Sequence, residues 1–481
     1  MLTRRRLLEK AGALGSATLV SRRIAAAGEI SPAMSALSAY MSEARSRALP
    51  AEVVEKAKHH ILDTLAAMVS GSDLAPGKFA IRFAKAHPSE KVATVAASDV
   101  MCGPIEAAFA NAMLAHADET DDSHAPSQSH PGCSVVPSAL AVGEQHGIDG
   151  AQFLRAVTLG YDVGTRFTMT VGIAGFQTSN HLSTHAISGT FGSAAAAASA
   201  AGLNTEQMRW VIDYASQEAS GIKTWQRDTD HIEKAFLFAG MPARNGVMGA
   251  AIVASGGTGV EDVLAGQDNF LLAYAPQADP MKLVEKLGER YEVVRTNIKK
   301  WSVGSPIQAP LDALKNLIEK HPFAPDQVKS VVVRLPTSEA ALVNNREMPD
   351  ICLQYMVAVM LLDRTASFLS SHDKDRMQDS AILLQRSKVQ LIADEALERR
   401  LPRRETIVEV TLTDDTKLTE HVDAVRGTAE NPMGRDELIV KCRELMTPVL
   451  GSAKTMSLIE KIFGLENVKD VRELRPLLQR A

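Results

Sequence analysis

The chain has 481 residues, of which 45% are hydrophobic and 23% charged, and its formal net charge is −5 at pH 7. This is the composition of an ordinary soluble protein, long enough for two domains with cores of their own. The negative balance argues against nucleic acid as the main partner, because a phosphate-binding surface needs an excess of positive charge. The four cysteines stand far apart, without CxxC or Cys-His spacing, so neither a disulfide framework nor a local cysteine metal motif is predicted.

The first 30 residues differ in character from the rest of the chain. The pair Arg4-Arg5 precedes an apolar stretch that ends at Val20, and three alanines follow at 25–27. This order is typical of a twin-arginine export signal, which predicts a periplasmic location. A second arginine pair interrupts the order, so a basic leader on a cytoplasmic protein is the alternative. Nothing after this segment reaches eighteen uninterrupted apolar residues, and no membrane span is predicted.

Residues 31–280 are predicted to form an all-helical domain. In "AEVVEKAKHHILDTLAAMVSG", Val54, Ala57 and Ile61 recur at three- and four-residue intervals, and Gly71 ends the helix. The segment "SGTFGSAAAAASAAGL" is so rich in alanine and glycine that its helix must pack closely against others. No segment of strand periodicity of any length interrupts this half.

Residues 281–428 change in composition and predict an α+β domain. The β-branched run "VKSVVVRLP" (328–336) reads as a strand, and "ETIVEVTLTDDTKLTEHVD" (405–423) alternates around two aspartates like a hairpin. Helical patterns return over 429–481. This tail could complete the first domain, in which case the α+β unit is an insertion.

The segment "HADETDDSHAPSQSHPG" (116–132) is a strongly polar connection between two predicted helices. Asp121 and Asp122 are adjacent like charges beside Glu119, an arrangement that costs energy unless cations or donors surround it. Histidines such as His130 titrate near neutrality, so carboxylates beside them favour acid/base chemistry. A metal site is an alternative, although no two histidines here have the spacing of HExxH. A polar loop without chemistry is the other alternative.

A second polar segment, "SNHLSTHAISGTFG", carries His181 and His185 four residues apart, just before the alanine-rich helix. A capping or core histidine is the alternative to a functional one. A third segment places Lys223, Arg227 and Lys234 among Trp and Phe residues. Cations beside apolar walls suit a carboxylate substrate, and a solvated charged face is the alternative.

Four stretches of the chain resemble a known family. They are "NAMLAHADETDDSHAPSQSHPGCSVVPSALAVGEQHG", "LRAVTLGYDVGTRF", "SGTFGSAAAAASAAGL" and "GTAENPMGRDELIVKC". They are similar to the MmgE/PrpD family, which includes 2-methylcitrate dehydratase, cis-aconitate decarboxylase and iminodisuccinate epimerase. The resemblance implies a mostly α fold: a large all-helical domain built from both chain ends, with a smaller α+β domain inserted. It also implies a homodimer and chemistry without metal or organic cofactor.

The resemblance further implies roles for individual residues. The family motif D-F-D-D-T…H-P, which lines the active site, falls on residues 119–123 and on His130. A later family histidine falls near His181 or His185, and a family lysine matches Lys234.

In the α+β domain the family lysine falls on Lys299 or Lys300. Gly304 stands where the family has a histidine, and Ala340 where some members have a tyrosine. The resemblance therefore implies the family scaffold with an altered substrate pocket.

The predicted reaction is a hydration or dehydration of a small di- or tricarboxylic acid by proton abstraction next to a carboxylate. His130 is predicted to be the base or acid, with Glu119 and Asp122 orienting it and His185 or His181 opposite. The predicted catalytic residues are His130, Glu119, Asp122, Ser123, His185, His181 and Lys234. The predicted substrate-binding residues are Asp121, Lys223, Arg227, Lys299 and Lys300.

Two other function classes stay open. An epimerase, isomerase or decarboxylase of a related acid would use the same paired histidines. A non-catalytic binding protein on the same scaffold would explain the missing family histidine. The partner in every case is a small carboxylate, with no nucleic acid and no cofactor.

Overall fold

The computed structural model describes residues 30–480. Helices account for 61% of the structure and strands for 9%, which confirms the prediction of a mostly α protein. The export segment predicted at residues 1–30 lies, apart from Ile30, outside the described residues.

The first part of the chain consists of helices joined by short loops. They are α1 (Pro32–Glu43), α2 (Ala51–Gly71), α3 (Ala75–Ala86), α4 (Pro104–Ala115), α5 (Gly132–His146), α6 (Gly150–Val171), α7 (Ile173–Ser179), α8 (Thr184–Ala201), α9 (Thr205–Glu218), α10 (Ile232–Ala235), α11 (Met241–Ala254) and α12 (Phe270–Tyr274). Helix α2 ends at Gly71, as its apolar periodicity predicts. A π-helical turn, Phe236–Gly240, joins α10 to α11.

One short ladder interrupts the helices. Strands β1 (Ala93–Thr94) and β2 (Met101–Cys102) pair antiparallel. The prediction that residues 31–280 are all helical missed this ladder, because two residues are too few to show an alternation of apolar and polar side chains.

Helix α8 lies at the centre of this part and is buried along almost its whole length. Its small residues let α6 and α11 approach its backbone: a Cβ added at Gly164 of α6 would lie 2.2 Å from the carbonyl oxygen of Ser188. A Cβ at Gly246 of α11 would lie 2.4 Å from the amide nitrogen of Ala194. The close packing predicted from the alanine-rich sequence is therefore present, and it fixes the start of α8, which carries His185.

The run Ile232–Ala254 is long and apolar enough to cross a membrane by length and composition. Within the structure, 72% of its most apolar window is buried. It packs as a core helix, because its small residues face α8.

The second part of the chain combines helices with a four-stranded sheet. Its helices are α13 (Ser305–Lys320), α14 (Thr337–Val343), α15 (Leu353–Asp363), α16 (Phe368–His372), α17 (Ser380–Arg386) and α18 (Glu395–Glu398). Its strands are β3 (Val328–Pro336), β4 (Val389–Asp394), β5 (Thr406–Leu412) and β6 (Lys417–Val422).

The sheet has the order β4-β3-β5-β6, with β3 and β4 parallel and the other neighbours antiparallel. Strand β3 and the β5–β6 hairpin lie where the sequence predicts them. Strand β4 was not predicted, because its residues show no regular alternation and contain no run of β-branched side chains.

The chain ends in α19 (Arg435–Leu450), α20 (Ser452–Phe463) and α21 (Arg475–Leu478). Two large clusters of buried apolar side chains divide the described residues. The larger draws on residues 34–298 and again on 433–478. The smaller draws on residues 301–425. The first cluster passes the boundary predicted at residue 280, since Tyr291 and Ile298 belong to it.

Candidate active site

The connection between α4 and α5, residues 116–132, is mostly buried although it is polar. The side chains of Asp118 through Asp122 are at most 4% exposed. Asp118 accepts hydrogen bonds from the amide and the hydroxyl of Thr120, which closes a tight turn. Ser123 then pairs its backbone with Asn297 in both directions, at 2.9 and 2.8 Å. A solvated loop would leave these carboxylates in water, so the burial favours a functional reading of the segment.

Asp121 is the anchor of the site. Its Oδ2 accepts a hydrogen bond from Nδ1 of His116 at 2.9 Å, and its Oδ1 accepts one from Nδ1 of His130 at 3.2 Å. The ammonium of Lys299 lies 3.6 Å from Oδ1. Burial opposes ionisation here, but His116, His130 and Lys299 outweigh it and hold the pKa of Asp121 well below its ordinary value.

His130 is therefore oriented by a buried carboxylate. Its Nδ1–H points to Asp121, so Nε2 is the nitrogen that remains for a reacting atom. Burial lowers the pKa of His130 even though Asp121 is in contact with it. The ring is neutral at pH 7, which is the state that a general base requires.

His185 stands next to His130, with 5.2 Å between the ring centroids. Its ring stacks on Phe238 at 3.7 Å, and its Nδ1 has no hydrogen-bond partner among residues 30–480. Burial lowers the pKa of His185 well below its ordinary value. The site thus holds two neutral imidazoles side by side.

A buried carboxylate–ammonium cluster adjoins the imidazoles. Glu119 is in contact with the ammonium of Lys234, and its second oxygen lies 3.4 Å from that of Lys299. The same ammonium of Lys234 lies 5.3 Å from the ring centroid of Trp225 and 5.2 Å from that of Phe238. Burial lowers the pKa of Lys234 to about 7.

Asp122 faces away from His130. It accepts hydrogen bonds from His60 Nδ1 at 2.8 Å, from the Tyr161 hydroxyl at 2.5 Å and from the amide of Gly132 at 3.0 Å. The sequence assigned the orientation of His130 to Glu119 and Asp122, and assigned Asp121 to substrate. In the structure Asp121 orients His130, while Asp122 fixes the start of α5.

Two cavities of about 140 Å³ each open on the imidazoles of His130 and His185. We call them the Glu119 cavity and the Lys223 cavity. Both are lined by His130, His185, Trp225, Gln226, Leu342 and Arg404. The Glu119 cavity is also lined by Glu119, Lys234, Phe238, Gly304, Ser305, Pro306, Glu339, Val343, Arg346, Met348 and Ile351. The Lys223 cavity is also lined by Ser123, His124, Gln128, Ser129, Gln177, Ser183, Thr184 and Lys223.

The wall of the Glu119 cavity comes from both parts of the chain. Gly304 lies in that wall, so the position where the family has a histidine supplies no imidazole here. Ala340 is buried in the smaller apolar cluster, whereas its neighbour Glu339 lines the cavity and forms an ion pair of 3.1 Å with Arg404. The α+β domain therefore contributes guanidinium and carboxylate groups to the site.

The structure brings most of the predicted residues together and separates three of them. The side chains that line a cavity are His130, His185, Glu119, Lys234, Ser123 and Lys223. Asp121, Asp122 and Lys299 lie behind this lining.

His181, Arg227 and Lys300 lie elsewhere. His181 is exposed and has a left-handed backbone (φ 55°), and Arg227 is exposed. Lys300 pairs with Asp312 at 3.2 Å and covers the ring of Trp301 in a separate cavity. Adjacent residues in an extended chain face opposite sides, so Lys299 points into the site and Lys300 away from it.

Sequence reasoning missed His116, His231, Glu339, Arg346 and Arg404. His231 Nε2 lies 4.0 Å from Glu119, held there by a left-handed backbone (φ 65°) that no sequence pattern signals. Glu339 and Arg404 come from unremarkable charged stretches of the α+β domain. Only the approach of the two parts of the chain makes them site residues.

Among residues 30–480, two groups of side chains have ligand atoms close enough for a metal ion. They are His116, Asp121 and His130, and His116, Glu119 and His231, with the atoms of each group within 4.8 Å of one another. The two groups share His116. In each group the carboxylate already faces a lysine ammonium, Lys299 or Lys234, which competes with a divalent cation. The arrangement suits acid/base chemistry better, and the absence of a cofactor stays a prediction.

Comparisons with known proteins agree with this architecture. The family model described as MmgE/PrpD N-terminal domain matches residues 35–282, and that of the MmgE/PrpD C-terminal domain matches residues 301–464. Cis-aconitate decarboxylase-like protein oryM of Aspergillus oryzae is 24% identical over 474 residues, which cover 91% of this chain and 95% of that protein.

Cis-aconitate decarboxylases show the same extent of similarity. The Homo sapiens protein is 26% identical over 452 residues, covering 89% of this chain and 90% of its own length. The Aspergillus terreus protein is 23% identical over 462 residues, which cover 89% of this chain and 92% of that protein. Both family domains are present and the relatives match over nearly their whole length. The chain therefore belongs to the MmgE/PrpD family of lyase-type enzymes.

Proposed function

We propose that the protein is a cofactor-independent lyase that breaks a bond next to a carboxylate of a small di- or tricarboxylic acid. The observation that carries this proposal is the neutral His130, oriented by Asp121 and paired with His185 where two cavities meet. Lys234 lines the Glu119 cavity, and its ammonium supplies positive charge beside the substrate carboxylate that takes up the charge of the carbanion.

The two imidazoles supply the proton transfers. In a dehydration, His130 takes the proton from carbon, the C–O bond breaks as the double bond forms, and the hydroxide leaves as water with that proton. In a decarboxylation, the C–C bond electrons stay on the substrate carbon and CO₂ leaves. That carbon then takes a proton that His130 has first gained from solvent water, and hydroxide stays in the solvent. His185, whose ring centroid lies 5.2 Å from that of His130, is the second group that can carry a proton in either reaction.

We propose decarboxylation as the first reaction to test. The curated relatives are named as cis-aconitate decarboxylases or as decarboxylase-like. One wall of the Glu119 cavity is apolar, with Phe238, Leu342 and Ile351, and an apolar wall weakens the hydration of a leaving carboxylate. Dehydration, the reaction expected from the sequence, is the second candidate, because the paired imidazoles can remove a proton and return it to a leaving hydroxyl group.

The experiment is incubation of the protein with unsaturated and hydroxylated di- and tricarboxylates in D₂O, followed by NMR. A decarboxylase releases CO₂ and leaves a deuterated product with one carboxylate fewer. A dehydratase interconverts a hydroxy acid and an alkene, and an epimerase exchanges deuterium at constant composition. Binding of an acid without any of these changes would contradict the proposal and favour a non-catalytic binding protein.

His130→Ala tests the assignment of the base. We expect turnover to fall about 10²–10⁴-fold, the usual contribution of a positioned proton-transfer group. The matched control is His181→Ala, because His181 is exposed and lines neither cavity. Equal activity of the two variants, with unchanged circular dichroism, would contradict the role of His130.

We also propose export through the N-terminal arginine pair and assembly as a homodimer. The proposal of export rests on the order of residues 4–27. The proposal of a homodimer rests on the family resemblance alone. Mass spectrometry of the mature N-terminus and light scattering of the purified protein test them. An intact N-terminus contradicts export, and a monomeric mass contradicts the dimer.

A further inference from the structure

The two cavities differ in their charge. The Glu119 cavity is lined by two carboxylates, Glu119 and Glu339, each already in contact with a cation. Among the described residues that line the Lys223 cavity there is no carboxylate. Its charged lining groups are the cations Lys223 and Arg404, so it offers positive potential to an anion.

The cations of the Lys223 cavity have unused hydrogen-bond donors. Lys223 forms no ion pair with any residue in the range 30–480, and its position is fixed by the bond from its amide to the carbonyl of His181 at 3.0 Å. Arg404 faces Glu339 through Nε in an ion pair of 3.1 Å, which leaves its two terminal nitrogens for a ligand. The amide side chain of Gln226 and the hydroxyl of Ser123 add neutral donors to the same lining.

The start of α8 opens on this cavity as well. Ser183, Thr184 and His185 belong to the lining, and they form the N-cap and the first turn of a helix of 18 residues. The first amides of a helix carry its partial positive charge. This charge adds to that of Lys223 and Arg404 rather than acting alone.

The shared wall connects the Lys223 cavity to the chemistry. His130 and His185 line both cavities, so a substrate carbon at these rings can extend one substituent into each. We propose that the Lys223 cavity is the subsite for a second carboxylate of the substrate, remote from the reacting carbon. Lys223 and Arg404 thereby select a tricarboxylate over a shorter dicarboxylate. This proposal rests on the proposed function for the identity of the reacting site.

Calorimetric binding of two probes, propane-1,2,3-tricarboxylate and succinate, tests the subsite without turnover. For Lys223→Met we expect the affinity for the tricarboxylate to fall at least about tenfold, the effect of losing a charge-assisted hydrogen bond. The affinity for succinate should stay unchanged. Lys223→Arg should retain binding, and Lys469→Met, at an exposed lysine outside both cavities, is the matched control.

The outcomes separate this subsite from the proposed reaction. Equal losses for both probes in Lys223→Met, or no loss, would overturn the subsite, as would a lack of tricarboxylate binding to the unmodified protein. Lys223-dependent binding without turnover of any acid would support the subsite and overturn the lyase. Turnover that is unchanged in Lys223→Met would support the lyase and overturn the subsite.

Discussion

Burial of Lys234 sets the pH range over which its side chain is charged. Its ammonium is in contact with Glu119 and lies beside the rings of Trp225 and Phe238, with only 7% of the residue exposed. Burial favours the uncharged amine, and the pKa of Lys234 falls from 10.5 to about 7. The cation that the proposed reaction needs is therefore present below pH 7 and is lost as the pH rises through that value.

This titration predicts the alkaline side of the pH profile. We expect kcat/KM to decline above about pH 7, and Lys234→Arg to extend activity to higher pH, because a guanidinium stays protonated there. The measurement is kcat/KM from pH 5 to 10 for both proteins. If kcat/KM declines over the same alkaline pH range in the unmodified protein and in Lys234→Arg, a group other than Lys234 controls the decline.

Neighbouring residues also show what a sequence cannot decide. Glu119, Asp121 and Asp122 were all predicted to be site residues from their clustering, yet their directions differ. Asp121 reaches His130, Asp122 reaches His60 and Tyr161, and Glu119 reaches Lys234. The direction depends on the turn closed by Asp118 and on partners that lie between 9 and 115 positions away along the chain.

At the scale of elements, an ion pair ties the α+β domain to the acidic loop. His372, at the end of α16, places Nε2 3.0 Å from Asp118, the residue that closes the turn before Asp121. Burial opposes protonation of His372, but Asp118 and Asp350 outweigh it and raise its pKa from 6.5 to about 9. A protonated His372 thus holds the loop that presents Glu119 and Asp121.

The raised pKa predicts a pH-dependent stability. Because the folded-state pKa lies above the unfolded value, the stabilisation is fully present below about pH 6.5 and is lost as the pH rises through about 9. We expect His372→Gln to lower the free energy of unfolding by up to about 3 kcal/mol at pH 6, and by much less at pH 10. Urea unfolding at both pH values measures this difference.

The matched control for that prediction is His321→Gln, since His321 is exposed at the end of α13. A loss of stability in His372→Gln that is the same at both pH values would refute the ion pair as its cause.

At the scale of the whole molecule, the last part of the chain supports the site. Lys441, on α19, donates to Asp63 of α2 at 2.6 Å and to the carbonyl of Thr120 at 3.1 Å. Burial raises the pKa of Asp63, and Lys441 counters that effect. One buried ammonium therefore joins the two ends of the chain and the acidic loop.

Removing that ammonium should cost much of the stability of the helical core. We expect Lys441→Met to lower the free energy of unfolding by about 3–5 kcal/mol, because it leaves a buried carboxylate without its cation. Adding Asp63→Asn should recover part of the loss. The test is urea unfolding of the single and double variants, and a double variant no more stable than the single one would contradict the pairing.

Elements with strong local signals could be predicted without the structure. Apolar periodicity and glycine placed α2, the β-branched run placed β3, and the alternation around two aspartates placed the β5–β6 hairpin. The same local reading singled out the loop of residues 116–132 as polar and unusual. These features follow from side-chain spacing, which a sequence displays directly.

The folding of the chain, and not a local pattern, brought particular charged side chains together. It placed His185 at the site and His181 in solvent, turned Lys299 inward and Lys300 outward, and brought Arg404 across from the α+β domain. The physical reason is that burial and Coulomb attraction act over ångströms, whatever the separation along the chain. A sequence gives only that separation, so it can name charged groups without saying which of them share one desolvated space.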